Sequence, residues 1–304
     1  MNDKITLNVS DKSTGKRTDK FVSESCSEIS RSLVQKLITD NLILVNEKST
    51  KPSYKLKSND KISITLPCPE ELNIKAEKIK LDVVFEDKDL IVINKPQGMV
   101  THPARGIYKG TLVNALLYHC RDSLSGINGV LRPGIVHRLD KETSGLIIAC
   151  KNDKSHKEIA DQIKNRKLKR HYLAIVHRKV QYNCGTINKP IGRHKIHRHK
   201  MAVVSGGRNA ITHWQVLKRM EKYTFLECTL ETGRTHQIRV HMASIGHPIL
   251  GDETYGKRND LHNKMMLHAY KLVFNHPRSR KEIKLETKMP TRFSLFLDKY
   301  KIEC

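Results

Sequence analysis

A polar stretch divides the chain into two parts with different patterns. Residues 67–80, PCPEELNIKAEKIK, are rich in charge and contain two prolines, and this composition is typical of a linker. Short helix and strand patterns precede the stretch, and longer strand patterns follow it. We therefore predict a small N-terminal domain over 1–66, a linker over 67–80 and a large domain over 81–304.

The N-terminal domain shows the pattern of two short helices with small strands. Ser30 is a candidate N-cap, because its hydroxyl can accept a hydrogen bond from a backbone N–H of the first turn. Four apolar residues at helical spacing follow it: Leu33, Val34, Leu37 and Ile38. The pair Asp40–Asn41 should end this helix, and strands are predicted within 42–48 and 58–66.

The large domain shows strand patterns along most of its length. Two strands should flank a polar turn at Asp87–Asp89, and four later strands are predicted within 170–180, 210–220, 223–231 and 266–275. Helices are predicted within 110–120 and 155–168, the second with Ser155 as a candidate N-cap. The sequence therefore predicts an α+β fold, with a mixed, β-rich large domain and a few packing helices.

The charge of the chain favours a polyanionic partner. It has 56 Lys and Arg against 31 Asp and Glu, a formal net charge of +25, and such an excess is typical of nucleic-acid-binding proteins. Between Asp161 and Glu221 there is no acidic residue, while the stretch holds fifteen Lys or Arg. These residues favour a surface for phosphates, with a merely soluble basic surface as the alternative.

The apolar runs and the cysteines favour a cytoplasmic protein that does not enter a membrane. The longest apolar runs, such as LIIAC at 146–150, are far shorter than a membrane span. The first ten residues lack the apolar core of a secretory signal. The seven cysteines are scattered and form no C-x-x-C pair, so we interpret them as reduced thiols and not as a disulfide framework or a zinc site.

Three segments carry residues suited to chemistry or to phosphate binding. Asp140, in GIVHRLDKETSGL, lies in a turn-like stretch before a buried strand and is either a nucleophile or a turn-closing carboxylate. Arg234, His236, Arg239 and His241 crowd the segment after Gly233 without a spacing typical of metal ligands. The segment 193–201, RHKIHRHKM, intersperses histidines with cations, which favours phosphate contact over metal binding.

These motifs together resemble the RluA family of pseudouridine synthases. VHRLDKETSGL at 136–146 is similar to the family's H-R-L-D-x-x-T-S-G-L motif. Further similar segments follow in the family's order, namely 94–103, 170–176, 231–243, 247–256 and 267–277. The segment 101–119 looks most like the D-type large-subunit rRNA synthases. The N-terminal part resembles an S4 RNA-binding domain through GKRTDKF, SRSLVQKLI and LVNEK. The resemblance implies a mainly antiparallel, mixed catalytic sheet beside a small α/β S4 domain.

The resemblance implies a role for Asp140 as the catalytic nucleophile. It would attack the target uridine at C1′ or at C6 of the base, and both routes stay open. Arg239 would pair with Asp140 and keep it ionised and aimed. Tyr172 would stack on the base and assist proton removal at C5. Arg138 would fill the gap that the flipped nucleotide leaves.

The remaining matched and basic residues are assigned to RNA binding. In the large domain they are His137, Thr143, Arg234, His236, Gln237, Arg193, Arg198 and Lys200. In the N-terminal domain they are Lys16, Arg17, Arg31 and Lys36. No cofactor and no metal are expected, because the implied chemistry needs one ionised carboxylate in a pocket that excludes water.

The chain departs from the family pattern at five positions. Arg170 stands where the family usually has Lys, and Thr18 stands where it has Leu. Arg178, Glu47 and Asn59 stand where it has glycine. Asparagine tolerates the left-handed backbone region that such glycines adopt, and glutamate tolerates it less well.

The sequence thus predicts an enzyme that converts specific uridines of large-subunit (23S) rRNA to pseudouridine. The expected partner is RNA, as 23S rRNA or the large ribosomal subunit precursor, and the expected oligomeric state is a monomer. The alternatives are a tRNA-directed synthase and an RNA-binding ribosome-assembly protein on the same scaffold. A metal-dependent nuclease is disfavoured, because it needs clustered carboxylates that the acid-free stretch does not provide.

Overall fold

The computed structural model of the protein describes residues 4–26, 31–65, 74–104, 106–121, 123–129, 132–256 and 264–300. The chain forms two compact units, Met1–Leu72 and Asn73–Cys304. Ser30 and residues 67–73 of the predicted linker lie outside the described residues. Among the described residues, no helix has the length and hydrophobicity that crossing a membrane requires.

The N-terminal unit is a four-stranded antiparallel sheet packed against two helices. Its strands are β1 (Lys4–Asn8), β2 (Ile43–Val45), β3 (Lys48–Ser49) and β4 (Lys61–Thr65), in the order β1-β4-β2-β3. Its helices are α1 (Thr18–Ser25) and α2 (Arg31–Thr39). Three of the four predicted apolar positions of α2 are buried, and Leu33 is 42% exposed. The predicted end of this helix at Asp40–Asn41 is confirmed.

The large unit is built on one mixed sheet with helices packed on it. The strands are β5 (Val83–Glu86), β6 (Leu90–Lys95), β7 (Ser144–Cys150), β8 (Lys169–His177), β9 (Cys184–Asn188), β10 (Ile191–Arg193), β11 (Met201–Val203), β12 (Ile211–Arg219), β13 (Tyr223–Leu230), β14 (Leu267–Asn275) and β15 (Glu282–Glu286). The helices are α3 (Leu112–Cys120), α4 (Asp153–Lys164), α5 (Gln237–Ser244) and α6 (Thr291–Lys299).

The strand order of the main sheet is β5-β6-β7-β14-β8-β13-β12-β9, with β15 paired to β14. Only the pair β7 and β14 is parallel among these described strands, and β10 with β11 forms a separate hairpin. The predicted α+β fold with a mainly antiparallel sheet is therefore confirmed. Sequence patterns missed the short strands β9, β10, β11 and β15.

The two faces of the central strands are covered by different hydrophobic clusters. On β8, Tyr172, Ala174 and Val176 belong to the main core, while Leu173 and Ile175 pack beneath α6. Every residue of β7 is buried, because this strand is covered on both faces. The period of two along β8 places Arg170 on the same face as Tyr172.

Close strand contact explains the glycine that opens β7. Gly145 has φ of 115°, and a Cβ on it would lie 2.1 Å from the carbonyl oxygen of Ala269 on β14. Any larger residue would push the two parallel strands apart. Gly145 therefore maintains the strand contact at the point where the Asp140 loop enters the sheet.

The cap predicted for α4 is wrong. Asn152 caps this helix, since its side chain accepts a hydrogen bond from the backbone N–H of Ser155 at 2.9 Å. Ser155 instead lies inside the first turn and donates its hydroxyl proton to buried Asp89 at 3.1 Å. The helix begins three residues earlier than predicted, and the sequence offered a suitable cap residue at both positions.

The three positions where the chain lacks a family glycine all adopt the left-handed backbone. The φ angles are 62° at Glu47, 65° at Asn59 and 70° at Arg178. The turns therefore keep the shape that glycine would favour. An L-residue pays about 1–2 kcal/mol for this conformation, less for asparagine.

Candidate active site

A cleft of about 780 Å³ opens on the large unit. Three segments form most of its wall: the loop before β7, the end of α4 with the start of β8, and the loop between β13 and α5. Asp140, Tyr172 and Arg239 all line this cleft. The fold thus brings together the three residues that the sequence predicted to be catalytic.

Two residues of the segment 95–101 hold the backbone on both sides of Asp140. Thr101 donates its hydroxyl proton to the carbonyl of Leu139 at 2.7 Å and accepts the Leu139 N–H at 3.3 Å. Fully buried Lys95 donates to the carbonyl of Lys141 at 3.3 Å and to two nearer carbonyls. Burial lowers the pKa of Lys95 to about 7, against the opposing charge of Asp140. Sequence analysis missed this lysine, which holds the backbone just after Asp140.

Arg239 connects Asp140 to a second carboxylate, Asp252. Its Nη1 donates to Asp140 Oδ2 at 3.0 Å, while Nε and Nη2 bind Asp252 in a bidentate pair at 2.7 and 2.9 Å. Burial lowers the pKa of Arg239, but the hydrogen bond and the charge of Asp252 raise it by more than burial lowers it. The pKa therefore lies above its usual value. The guanidinium is therefore a permanent cation, and its pairing with Asp252 fixes its orientation toward Asp140.

Asp252 is itself fastened by the backbone of its own turn. Its side chain is fully buried and accepts the N–H groups of Thr254 and Tyr255 at 2.9 and 3.1 Å. The ring of Tyr255 lies 5.1 Å from the Arg239 guanidinium carbon, as in a cation–π contact. Sequence analysis did not identify these roles, because the pairing of Asp252 and Tyr255 with Arg239 depends on how two separate segments pack.

His236 lies between this network and the nucleophile candidate. Its Nε2 is 3.9 Å from Asp140 Oδ1, and its Nδ1 bonds the hydroxyl of Tyr255 at 2.8 Å. The same hydroxyl accepts the backbone N–H of Met201 at 2.9 Å. Burial lowers the pKa of His236. Its φ of 57° is a left-handed conformation for a residue other than glycine, of the kind that clusters at functional sites.

Tyr172 projects from β8 into the core side of the cleft and is 5% exposed. Burial raises the pKa of its phenol, and the charge of Asp140 acts in the same direction. The side chain therefore carries its proton at neutral pH. The cleft therefore holds a neutral aromatic hydroxyl that is close enough to Asp140 to feel its charge.

Two residues predicted to contact RNA, Gln237 and Thr143, are buried. Buried Gln237 accepts from Thr232 Oγ1 and the Arg234 N–H, and donates to Ile211 O and Thr212 Oγ1, with distances of 2.8 to 3.0 Å. All its hydrogen-bonding capacity is taken, so direct RNA contact by Gln237 is not supported. Its contacts hold the loop before α5 in shape. Thr143 is 3% exposed and lines the cleft from below.

His137 accepts the Ile148 N–H on Nε2 at 3.1 Å. Its Nδ1 is buried and has no hydrogen-bond partner among the described residues. Burial, with the charge of Arg170, lowers the pKa of His137 to about 3. The ring is neutral and adds no charge to the cleft.

Two predicted RNA-binding arginines line the accessible part of the cleft. Arg138 is exposed beside Asp140. Arg234 is half-buried and donates its Nε proton to the carbonyl of Asn209 at 3.0 Å, which leaves its other donors available.

The basic hairpin β10–β11 carries the other predicted contacts of the large unit. Arg193 donates to the carbonyl of Arg198 at 3.1 Å, and Lys200 donates to the carbonyl of Thr254 at 3.0 Å. Arg198 is exposed at the tip. The loop of the hairpin is thus tied to the turn that holds Asp252.

The predicted cations of the N-terminal unit are mostly paired. Arg17 and Arg31 both bind fully buried Asp19, at 3.0 Å each, and Lys16 pairs with Glu24 at 3.1 Å. The hydrogen bond from Arg17 holds the pKa of Asp19 far below its usual range. Lys36 forms no ion pair within the described part of the chain. The sequence did not indicate that one aspartate would orient two of these arginines.

Within the described residues, one group has the spacing of a metal site, namely Asp87, Asp89 and His276. Arg278 binds both oxygens of Asp89 at 2.7 and 2.9 Å, and His276 bonds Asp87 at 2.6 Å. The ligand atoms already have protein partners, and a cation would lie next to a guanidinium. This cluster fastens the β5–β6 turn.

Comparison with known proteins identifies the family of the chain. Residues 89–244 match the RNA pseudouridylate synthase family model, and residues 16–62 match the S4 domain. The uncharacterized RNA pseudouridine synthase YlyB of Bacillus subtilis is 47% identical over 287 residues, 94% of each chain. The ribosomal large subunit pseudouridine synthase D of Zymomonas mobilis is 42% identical over 296 residues, 92% of each chain.

A solved structure shows the same fold. Human RNA pseudouridylate synthase domain containing 1 superposes with a TM-score of 0.58 and 27% identity, covering 75% of this chain and 88% of that one. The β-rich fold, the cleft and the S4 match together define an RNA-modifying enzyme. The chain belongs to the RNA pseudouridylate synthase family, and it isomerises uridine in RNA to pseudouridine. The family resemblance drawn from the motifs is confirmed.

Proposed function

We propose that the substrate is large-subunit (23S) rRNA and that Asp140 is the nucleophile. The rRNA assignment is supported by several relatives named ribosomal large subunit pseudouridine synthase D, including one that is 39% identical over 303 residues. The observation that carries the nucleophile assignment is the Arg239–Asp140 pair at 3.0 Å, inside the cleft that Tyr172 also lines.

In this proposal, the target uridine leaves its helix and enters the cleft, where Arg138 occupies the space it vacates. Asp140 attacks C1′ or C6, the N1–C1′ bond breaks, and the uracil turns within the cleft. A new bond joins C5 to C1′, the bond from Asp140 to C1′ or C6 breaks and frees the carboxylate, and the product loses the proton on C5 while N1 gains one. The closed walls keep the detached base from escaping, which nucleophilic catalysis of this kind requires.

Tyr172 serves the base by stacking and hydrogen bonding, and not as a phenolate. Burial raises its pKa, so a neutral phenol is present where proton removal at C5 would require a base. The other carboxylate that lines the cleft, Glu231, is paired with Arg166 and His213. Asp140 is therefore the carboxylate of the cleft that can accept the C5 proton.

The remaining assignments extend this proposal. The S4 domain contributes RNA capture through its basic face, and the hairpin residues Arg193, Arg198 and Lys200 contact phosphates. The enzyme acts as a monomer in the cytoplasm on 23S rRNA or on the large-subunit precursor. Salt should weaken RNA binding steeply, because Lys and Arg contacts to phosphate release counterions.

Carbodiimide mapping with primer extension on rRNA tests substrate and nucleophile together. The RNA comes from cells lacking the gene and from the same cells rescued with wild type, Asp140→Asn or Glu142→Gln. Glu142 is an exposed carboxylate in the same loop and serves as the matched control. We expect a stop that wild type and Glu142→Gln restore and that Asp140→Asn does not.

Two outcomes contradict the proposal separately. Pseudouridine formed by Asp140→Asn at the wild-type level would exclude Asp140 as the nucleophile. An rRNA profile that does not depend on the gene would exclude 23S rRNA, and mapping of tRNA from the same cells would then locate the target.

A further inference from the structure

Arg170 is a buried cation without a counter-ion among the described residues. It is 4% exposed, and its Nε is buried without a hydrogen-bond partner. Among the described residues, no ion pair or side-chain hydrogen bond involves this guanidinium. The side chain lines the same cleft as Asp140. A buried charge in this condition destabilises the free protein unless a ligand compensates it.

The surroundings of Arg170 add positive charge and no negative charge. Burial lowers its pKa, and the charge of Arg234 lowers it further, while the only opposing contribution comes from Tyr172. Neighbouring His137 is neutral, as its own low pKa shows. The chain therefore leaves the guanidinium unneutralised on the cleft wall.

Arg239, the other buried arginine of the cleft, differs from Arg170 in having carboxylate partners. These are the two arginines that are less than a tenth exposed in the described part of the chain, at 4% and 7%. Arg239 is neutralised by Asp140 and Asp252, at 3.0 and 2.7 Å. Arg170 has no such partner, although both side chains line one cleft.

Gly233 leaves the space in which the guanidinium lies. A Cβ on this residue would be 2.6 Å from Arg170 Nη1 and 3.8 Å from Nη2. The glycine therefore allows the loop before α5 to cover one side of Arg170 while the other side faces the cleft. The arrangement is a built site and not a flexible surface arginine.

We propose that Arg170 binds a phosphodiester of the substrate RNA on the wall of the cleft that also holds the catalytic carboxylate. The proposal rests on the proposed function, since the anion belongs to the RNA whose uridine Asp140 attacks. A planar guanidinium binds phosphate oxygens in a bidentate manner, and RNA supplies the missing negative charge on binding. Arg170 is thus a positioning residue that fixes the backbone of the target nucleotide.

A uracil carbonyl is the competing ligand for the same donors. A carbonyl would satisfy hydrogen bonds but would leave the positive charge uncompensated. Further cations line the cleft without an ion pair to any described residue, namely Arg132, Arg138, Lys164 and Arg234. This excess favours the anion over the neutral base.

The test measures RNA binding as a function of salt. The probe is a stem-loop oligoribonucleotide that spans the mapped uridine, bound by Asp140→Asn protein with and without Arg170→Met. Loss of a charged hydrogen-bonding contact should weaken binding about tenfold or more. The slope of log Kobs against log salt should become shallower by about 0.7 to 0.9, as for one lost phosphate contact.

Two controls separate this site from general charge effects. Arg121→Met removes an exposed guanidinium outside the cleft lining and should leave affinity within about twofold. Arg170→Lys keeps the charge and should keep the salt slope while losing part of the affinity. Arg170→Met should also unfold at the same or a higher temperature, because it removes an uncompensated buried charge.

Methylphosphonate substitution in the RNA identifies which phosphate Arg170 binds. Phosphodiesters flanking the target uridine are replaced one at a time by the uncharged group. One replacement should weaken binding as much as Arg170→Met does, and it should have no further effect on that variant.

Weaker binding of Arg170→Met with an unchanged salt slope would overturn the proposal in favour of a uracil contact. Equal binding by both proteins would overturn it altogether. Neither result depends on which residue is the nucleophile, because the binding assay involves no turnover. The mapping experiment tests the nucleophile and the class of RNA on its own.

Discussion

Replacing Asp252 by Asn tests whether the active site depends on the carboxylate behind Arg239. Asp252 accepts four hydrogen bonds: Arg239 Nε at 2.7 Å, Arg239 Nη2 at 2.9 Å, and two backbone N–H groups at 2.9 and 3.1 Å. Asparagine has the same shape and keeps one oxygen for the three donors that share Oδ1. Its amide would point an N–H₂ group at Arg239 Nε, where a carboxylate oxygen now accepts.

The magnitude follows from these contacts. The variant loses one charge-assisted hydrogen bond, worth about 1.5–3 kcal/mol, and the negative charge that balances Arg239. Breaking a buried pair by removing one partner costs about 3–5 kcal/mol of stability. If the orientation of Asp140 depends on the hydrogen bond alone, kcat should fall about 10- to 150-fold.

Steady-state kinetics on the mapped stem-loop measures kcat, and filter binding measures RNA affinity. Because Asp252 is fully buried, RNA affinity should stay within about twofold of wild type. Asp89→Asn is the matched control, since Asp89 also holds an arginine in a bidentate pair, outside the cleft lining. That variant should lose stability and keep kcat. Equal kcat for Asp252→Asn and wild type would refute the reasoning that catalysis requires Asp252 to hold Arg239 in place.

Three further predictions concern single side chains. Tyr255→Phe keeps the ring but leaves the Met201 N–H unpaired, so stability should fall by about 1–3 kcal/mol in urea unfolding, with kcat reduced through His236. An unchanged unfolding curve would contradict this role. Arg178→Gly relieves a φ of 70° and should raise stability by about 1 kcal/mol, and a loss would show that the arginine side chain matters more. Burial and a neighbouring guanidinium lower the pKa of His268 to about 4. The unfolded state, with a pKa of about 6.5, then binds more protons between these values, so stability should fall by up to about 3 kcal/mol as pH drops from 6.5 to 4. His268→Gln should flatten that dependence in thermal unfolding, and an identical pH profile would exclude His268 as its source.

Local patterns in the sequence were sufficient for much of the fold. Strand patterns in 170–180 and 223–231 predicted β8 and β13, and helical spacing predicted α2 and α3. These elements depend on which neighbouring residues are apolar, and that is visible in the chain. Short strands such as β10 and β11 have too few residues for a pattern, and the cap of α4 required a choice between two suitable residues.

The sequence by itself determined which residue types the site has, through the motifs around Asp140, Tyr172 and Arg239. Only the tertiary structure decided which of them pair. Asp140 and Arg239 are 99 positions apart, and their contact depends on how β7, β8 and α5 pack around one cleft. The same packing gives Arg239 two carboxylates and gives Arg170 none from the described part of the chain. The physical reason is that a hydrogen bond is decided within about 3 Å, and no spacing along the chain specifies a distance that long-range packing sets.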